Sequence, residues 1–379
     1  MATRIRPDLK DDLARYGAGC VDLCFNCGNC TAVCPLSREA TVFPRKLVRY
    51  AQLGLRDKIV SAPEPWLCYY CGECSATCPK EATPGETMAA LRRYATAQYD
   101  PTGLSGLLTK FPFLALVFTI ALGIGLGMFH LSSKAHRHGE PAHWAVFDWI
   151  PYETIHQIGV IVGVLMVVIA AAGFFNAARL MLRPHGGFAS LKKFGIKDFL
   201  NAGKSLGAEV ATLRRRAECA DSAGESKRAG FRAAHQAVMW GFVMLGAATT
   251  LDFVFIFLLK IQTYALARPL GIIGGLVMLY GLLVLTWRRW KKESPSARKT
   301  TFGDAWLLFF LLVLDLTGFF LLVVATFGLK GTLTDVVLLV HSVMAMELVL
   351  LFTLTKIGHA VYRPMALFLH FLHQPRPAA

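Results

Sequence analysis

Residues 24–35 read CFNCGNCTAVCP, and residues 68–79 repeat the same pattern as CYYCGECSATCP. Each run has three cysteines spaced by two residues, a fourth cysteine after three more residues, and then a proline. This spacing is typical of domains with two [4Fe–4S] clusters, in which the first three thiolates hold one cube and the fourth binds the other cube. The two runs therefore predict two [4Fe–4S] clusters.

The spacing also predicts how the ligands divide between the clusters. Three cysteines on one tight loop can point at three corners of a cube, whereas the extra residue and the proline hold the fourth cysteine away. The expected ligand groups are Cys24, Cys27, Cys30 and Cys78 for one cluster, and Cys68, Cys71, Cys74 and Cys34 for the other. Two zinc sites are the alternative, but such sites usually use separated cysteine pairs rather than runs of four.

Cysteine usage indicates a reducing compartment. Nine of the ten cysteines fall within the first 78 residues, and this hydrophilic segment has no apolar start that would predict a signal peptide. Metal ligation is then favoured over disulfide bonding. Cys20 and Cys219 lie outside the two runs, and the sequence assigns them no role.

The segments beside the runs predict a helical head domain over residues 1–105. Segments 43–55 and 84–98 carry apolar residues at helical spacing and show no strand-like alternation. These residues are Leu47, Tyr50, Ala51 and Leu55 in the first segment, and Met88, Leu91 and Ala95 in the second. We therefore expect an α-helical ferredoxin domain rather than a β-rich one.

The rest of the chain, residues 106–379, has the composition of a membrane domain. Apolar residues make up 54% of the whole chain and charged residues 17%, and the apolar residues cluster in runs near the ~20 residues that a spanning helix needs. The six predicted spans are 111–129, 155–177, 234–259, 269–288, 304–328 and 336–359. The connector 178–232 is too polar to span. Its amphipathic part, 188–210, is expected on the membrane surface or in support of the head.

Basic residues between the spans predict the orientation. Segments 178–232 and 288–300 together hold eighteen Lys and Arg, while the three segments on the other side hold five. Basic loops stay in the cytoplasm, so the head and both termini are predicted to lie on the cytoplasmic side of the inner membrane. This distribution accounts for the net charge of +15 without nucleic acid, which is not an expected partner.

Four histidines within the predicted spans are candidates for haem ligands, because ionisable groups inside a membrane are costly. His341 and His359 are 18 residues apart, which is five helical turns and about 27 Å of rise, so one face of the sixth span would carry both. His156 begins the second span near the outer surface, and His235 begins the third span near the cytoplasm. Depth then pairs His156 with His341 around an outer haem b, and His235 with His359 around an inner haem b.

Other polar residues in the membrane region have weaker signals. Asp252, Asp315 and Glu347 lie within spans and are candidates for a quinone or proton relay; a buried hydrogen bond, for example to Thr317, is the structural alternative. No C-x-x-C-H motif occurs, so a covalent c-type haem is not expected. The histidines expected to be solvated are His130, His136, His138, His143, His185, His370 and His373. The predicted fold is thus all-α: a ferredoxin head and a six-helix membrane bundle of cytochrome b type.

The head, with CFNCGNCTAVCPLS and PWLCYYCGECSATCP around FPRKLVRYAQLGL, resembles the C subunit of heterodisulfide reductase. The six-span region is similar to the cytochrome b subunit of that enzyme and, more distantly, to the membrane subunit of respiratory nitrate reductase. The two parts joined in one chain resemble the membrane subunits of quinone-interacting membrane-bound oxidoreductase complexes.

This resemblance implies haem-ligand roles for His156, His235, His341 and His359. It also implies electron exchange between menaquinone and adenylylsulfate reductase in dissimilatory sulfate metabolism, with two cytoplasmic flavin and iron–sulfur subunits as partners. The chain would be the quinone-reactive subunit of an oxidoreductase rather than a complete enzyme. One departure is that nitrate reductase membrane subunits carry two haem ligands on their first haem-bearing helix, whereas here the ligands are split between two spans.

Two other functions fit parts of the sequence. A thiol or disulfide reductase would need a dedicated cysteine site beyond the two runs, and no adjacent Cys-Cys pair exists. A heterodisulfide reductase-type membrane subunit, or an anchor that docks a ferredoxin without haem, stays open. The anchor predicts that replacing the four histidines leaves electron transfer intact.

Overall fold

The computed structural model describes most of the chain, namely residues 4–38, 42–132, 152–216, 230–261, 265–292 and 295–374. Every regular element within these ranges is helical, which confirms the all-α prediction. The helices of the head are α1 (Leu9–Arg15), α2 (Asn29–Ala32), α3 (Arg45–Gln52), α4 (Arg56–Val60), α5 (Glu64–Leu67), α6 (Glu73–Ala76), α7 (Pro84–Tyr99) and α8 (Leu104–Lys110).

The remainder of the chain forms long helices joined by short ones. They are α9 (Pro112–Ser132), α10 (Tyr152–Leu182), α11 (Ile196–Thr212), α12 (Phe231–Asp252), α13 (Ala267–Trp290), α14 (Pro295–Arg298), α15 (Phe302–Phe327), α16 (Thr332–Leu350) and α17 (His359–His373). A π-helical segment, Phe253–Leu258, extends α12. Shorter 3₁₀ segments are Val21–Leu23, Pro35–Arg38, Arg183–His185, Gly187–Lys193 and Lys356–Gly358.

The two cysteine runs adopt the same local structure. Gly28 and Gly72 occupy equivalent positions, and both have a left-handed backbone, with φ of 92° and 91°. Glycine adopts this conformation without a steric penalty. Each glycine reverses the chain so that a short helix, α2 or α6, begins directly after it and carries the third cysteine of the run. The repeated sequence thus becomes a repeated fold around each set of thiols.

Helices α3 and α7 form the centre of the head, as the periodicity of segments 43–55 and 84–98 predicts. Their apolar faces are buried together with α1 and α5, and burial of apolar surface is the main stabilising contribution. Fully buried side chains of this core include Leu9, Leu13, Leu47, Trp66, Met88 and Leu91.

Among the residues that the structure describes, six helices are long and apolar enough to cross a membrane, so the chain is a multi-pass membrane protein. They are α9, α10, α12 with its π-helical extension, α13, α15 and α16. Many of their large apolar side chains are exposed, including Phe113, Phe175 and Phe327. Such exposure is expected for side chains that face lipid rather than water.

The sixth span is shorter than the sequence predicts. Helix α16 ends at Leu350, Thr355 is extended, and a new helix, α17, begins at His359. The chain folds back tightly here, since a Cβ on Gly358 would lie 2.6 Å from the carbonyl oxygen of Thr353. The prediction that His341 and His359 share one helical face across five turns is therefore wrong, because α16 ends between them.

The head and the membrane region share one hydrophobic core. Apolar residues of α10 and α17 join the core of the head. The ring of Tyr362, on α17, contacts the rings of Trp66 and Tyr99 in a tilted geometry, at centroid distances of 5.7 and 5.3 Å. The side-chain amide of Asn176, on α10, donates to the carbonyl oxygens of Gln98 and Tyr99 at 3.2 and 3.0 Å. The head is thus fixed against the ends of α10 and α17.

Helix α11, from the polar connector, supports the head on the same side. It packs along α17, with Phe199 and Phe368 6.1 Å apart between ring centroids. The hydroxyl of Tyr69 in the head donates to the carboxylate of Glu209 on α11. The basic connector and the cysteine-rich head therefore lie on the same side of the membrane region.

Candidate functional site

The first group of thiols combines three cysteines of the first run with the last cysteine of the second run. Burial raises the pKa of Cys30, and the neighbouring thiols of Cys24, Cys27 and Cys78 raise it further. The amide of Asn29 donates to the carbonyl oxygen of Thr77 at 3.1 Å, which ties the two runs together at this point. The structure thus brings together the four cysteines that the spacing predicts for one cluster.

The second group is built in the same way. Burial raises the pKa of Cys34 to about 12, and the thiols of Cys68 and Cys71 contribute to the rise. Cys74 has an elevated pKa for the same reasons, with Cys68, Cys71 and Cys34 among its neighbours. A cleft in the head is lined by these four residues. Cys34 therefore lies beside the first three cysteines of the second run rather than with the other cysteines of its own run.

These groups fit an iron–sulfur cube. The four thiols of the second group surround a cleft instead of meeting at a point, and within the described ranges no three His, Cys, Asp or Glu side chains converge on one metal ion. Backbone N–H groups of Tyr70 and Ala82 donate to the sulfurs of Cys68 and Cys78 at 3.3 and 3.4 Å. Such hydrogen bonds to ligand sulfurs are one means of setting cluster potentials.

The inner histidine pair meets ring to ring. His235 lies in the first turn of α12 and His359 is the first residue of α17, and their ring centroids are 6.1 Å apart with an interplanar angle of 57°. Two imidazoles bound to opposite sides of one metal, at about 2.0–2.1 Å from each nitrogen, would have centroids roughly 6 Å apart. The two rings are therefore close enough to hold one metal-containing group between them.

Hydrogen bonding in this pair leaves a nitrogen free for a metal. Nδ1 of His359 lies 2.6 Å from the carbonyl oxygen of Lys356. A carbonyl can only accept, so Nδ1 carries the proton and Nε2 keeps its lone pair. Nδ1 of His235 is buried and has no hydrogen-bond partner among the residues that the structure describes. An orphaned buried nitrogen facing a second imidazole fits a site for a bound group.

His341 is held by Thr317. The Thr317 hydroxyl donates to the carbonyl oxygen of Val313 at 2.7 Å and lies 2.9 Å from Nδ1 of His341. With its own proton engaged, this hydroxyl accepts from Nδ1, which leaves the lone pair of Nε2 available. The arrangement is the usual one for a histidine that ligates a metal.

His156 lies in an aromatic and acidic setting. Its ring stacks on Phe253 and Phe257 at centroid distances of 6.0 and 5.5 Å, and its Nε2 lies 3.9 Å from a carboxylate oxygen of Asp252. All three partner residues lie at the C-terminal end of the third span, in or directly before its π-helical segment. The pairing of His156 with His341 around an outer haem remains a prediction.

Two further carboxylates are buried inside the bundle. Asp315 is 6% exposed and Glu347 is 4% exposed. One oxygen of each, Oδ2 of Asp315 and Oε1 of Glu347, has no hydrogen-bond partner within the described part of the chain. The alternative that Thr317 satisfies Asp315 is not what the structure shows, since Thr317 bonds Val313 and His341. Buried, unsatisfied carboxyl groups in a membrane are costly and mark functional candidates.

Several residues differ from the expectation or were missed. His130 is 1% exposed, so the prediction that it is solvated is wrong, because helix packing covers it. His373 is half-buried: its Nε2 is covered, and its ring centroid lies 4.0 Å from that of His185. The predicted positions that lie outside the described residues are Cys219, His136, His138 and His143. Sequence reasoning also missed Arg363, for which no motif exists.

Comparisons with known proteins match two separate parts of the chain. Residues 20–82 match the family described as 4Fe-4S dicluster domain, and residues 197–379 match the family described as Citrate utilization protein B. No solved structure matches the chain.

Curated relatives match the head. It is 34% identical over 98 residues to a protein of Archaeoglobus profundus described as like the C subunit of heterodisulfide reductase, covering 26% of this chain and 52% of the relative. It is also 34% identical over 63 residues to the C subunit of the H(2):CoB-CoM heterodisulfide,ferredoxin reductase of Methanothermobacter thermautotrophicus, covering 17% of this chain and 34% of the relative. The chain therefore spans about half, or less, of these relatives.

The fold and the thiol groups define an iron–sulfur membrane protein with six candidate spans. More particularly, its head is similar to the C subunits of heterodisulfide reductases, and this head is joined in one chain to a multi-pass membrane region.

Proposed function

We propose that this chain passes electrons between a membrane quinone, menaquinone, and soluble iron–sulfur flavoproteins. The carriers are two [4Fe–4S] clusters in the head and two b haems in the bundle. The observation that carries the proposal is the position of α17: its first residue, His359, faces His235, while the same helix packs against α5, which ends directly before Cys68. The two kinds of site are therefore neighbours.

The head would hold its clusters through the two thiol groups described above. The first cluster is assigned to Cys24, Cys27, Cys30 and Cys78, and the second cluster to Cys34, Cys68, Cys71 and Cys74. When bound, clusters and haems supply one-electron chemistry, while the protein supplies position and potential. Burial of the cysteines excludes water, and the N–H groups of Tyr70 and Ala82 stabilise negative charge on the sulfurs.

The bundle would hold the inner haem between His235 and His359 and the outer haem between His156 and His341. The Lys356 carbonyl and the Thr317 hydroxyl keep the proton on Nδ1 of His359 and His341, which presents Nε2 as the ligand atom. This assignment does not require His341 and His359 to lie on the same helix.

Quinol oxidation gives a quinone, two electrons and two protons, so a proton path must accompany the electron path. Asp252 lies beside His156 at the outer end of the bundle and is positioned to accept a proton there. Asp315 and Glu347 have unpartnered buried oxygens that can hold a proton deeper in the bundle. These three carboxyl groups are our candidates for the proton relay.

The proposed location and partners of the chain rest on the distribution of its basic residues and on its resemblance to known families. The excess of basic residues on the head side supports a cytoplasmic position for the head, the connector and both termini, with the bundle in the inner membrane. The resemblance to quinone-interacting oxidoreductase membrane subunits supports two flavin and iron–sulfur subunits as partners, and adenylylsulfate reductase as the enzyme served during sulfate respiration. The chain would act as the quinone-reactive subunit of that complex.

The test is spectroscopic and uses the full-length chain purified in detergent. We expect about eight iron atoms in clusters per polypeptide, from two cubes of four irons each, and two haems in the reduced-minus-oxidised visible spectrum. His359→Ala should remove the inner haem signal and leave the cluster signals unchanged. His185→Ala, which changes an exposed histidine in the 3₁₀ segment after α10, is the matched control. Clusters without any haem would instead support the ferredoxin anchor.

A further inference from the structure

Arg363 bridges the head and the inner histidine pair. It lies four residues after His359 on α17, which places both on neighbouring turns of one helix face. Its guanidinium carbon is 3.8 Å from the centroid of the Tyr69 ring, and its Nη2 donates to the carbonyl oxygen of Leu67 at 3.5 Å. That carbonyl belongs to the peptide unit that joins Leu67 to Cys68. A single side chain therefore spans from the helix of His359 to the backbone of a cluster cysteine.

Charged side chains of both signs lie around the backbone that joins Leu67 to Cys68. The guanidinium groups of Arg92 and Arg363 both lie against the backbone around Cys68. Arg92 donates to the carbonyl oxygen of Cys68 at 3.4 Å from the other side. Glu209, a buried carboxylate, accepts a hydrogen bond from Tyr69. Two arginines and one carboxylate thus lie around the backbone that leads into Cys68.

A fixed cation at this position has a defined physical effect. The reduced form of a redox centre carries one more negative charge than the oxidised form, so a nearby positive charge stabilises it and raises the reduction potential. The effect is larger inside a protein than in water because the dielectric response is weaker. An arginine is always protonated, so its contribution does not depend on pH.

We propose that Arg363 links the second cluster to the inner haem and raises the reduction potentials of both. The inference rests on the proposed function, since it needs both centres. In the step concerned, one electron leaves one centre and reduces the other, and no proton or covalent bond changes. Arg363 is a positioning and tuning residue: it does not ligate iron, and it acts through Cys68 and His359.

The experiment compares Arg363→Gln, Arg363→Lys and Arg15→Gln in the full chain. Arg15 is an exposed arginine on α1 and serves as the charge-removal control. Electron paramagnetic resonance measures the potential of the second cluster, and visible redox titration measures the potential of the inner haem. We expect Arg363→Gln to lower both potentials, so that the ratio of reduced to oxidised centre falls about tenfold at a fixed potential, or about 59 mV for a one-electron couple. Arg363→Lys should retain most of both potentials, and Arg15→Gln should change neither.

Each outcome decides a different claim. Unchanged potentials in Arg363→Gln, with both signals present, would overturn the inference and leave the proposed function intact. A wild-type chain that lacks haem would overturn the proposed function itself. If Arg363→Gln does not retain its cofactors, Glu209→Gln gives the second measurement: removal of the opposing negative charge should raise the potential of the second cluster, and an unchanged or lower value would overturn the inference.

Discussion

The hydroxyl of Tyr69 in the second cysteine run donates a hydrogen bond to the carboxylate of Glu209 in the connector helix α11. Glu209 is only 5% exposed. The hydrogen bond therefore satisfies a buried carboxylate, and it also attaches the head to the connector. The head is therefore held by polar contacts as well as by the shared apolar core.

We expect Tyr69→Phe to destabilise the junction of head and connector. Loss of the hydroxyl leaves a buried carboxylate oxygen without its donor, which costs about 1–3 kcal/mol. The midpoint temperature of unfolding in detergent should fall, as measured by circular dichroism. Tyr50→Phe, at a half-buried position on α3, is the control and should have little effect. Equal stability of the two variants would show that the hydrogen bond contributes nothing.

The left-handed glycine before α6 gives a second prediction. Gly72→Ala places a Cβ at φ of 91°, and a left-handed conformation costs a residue other than glycine roughly 1–2 kcal/mol. The loop should relax and move the cysteines of the second run, so iron and sulfide content should fall towards one cluster per chain. Gly19→Ala is the matched change, because nothing lies within 4 Å of its Cβ position. Full iron content in Gly72→Ala would contradict this expectation.

Asp315 provides a test of the proton relay. Asp315→Asn keeps the size of the side chain but removes the ability to accept and release a proton. Proton transfer by a positioned side chain contributes typically about 10²–10⁴-fold to a rate, so haem reduction by a menaquinol analogue should slow by about 10²-fold in stopped-flow measurements. The visible spectrum should be unchanged. The control is Asp335→Asn, in the first turn of α16, which should reduce the haem at a rate near that of the wild type. If Asp315→Asn also keeps the wild-type rate, Asp315 is not part of the proton relay.

The contact of Tyr362 with Trp66 and Tyr99 gives a stability prediction. Tyr362→Ala leaves a cavity at a position that is 1% exposed, and such a change costs about 3–5 kcal/mol. Tyr362→Phe keeps the ring and should cost far less. Limited proteolysis should release the head from the Ala variant faster than from the Phe variant. Identical cleavage rates would mean that the aromatic contact does not hold the head in place.

Local patterns account for what the sequence by itself determined. Cysteine spacing, helical periodicity and apolar run length each involve residues near one another in the chain, so they predict the two thiol runs, the all-helical fold and the six spans without any long-range information. The same reasoning failed at residues 351–358, where α16 has already ended at Leu350 and the chain turns before α17 begins at His359. Helical periodicity does not report such a turn.

Tertiary structure alone decided how distant segments meet. The approach of Arg363 to Tyr69, the bond between Tyr69 and Glu209, and the shared core of head and bundle all join segments far apart in sequence. The ring-to-ring distance between His235 and His359 likewise depends on where α12 and α17 pack, although depth in the membrane predicts the pairing. These contacts depend on the packing of whole helices, which a pattern of neighbouring residues does not encode.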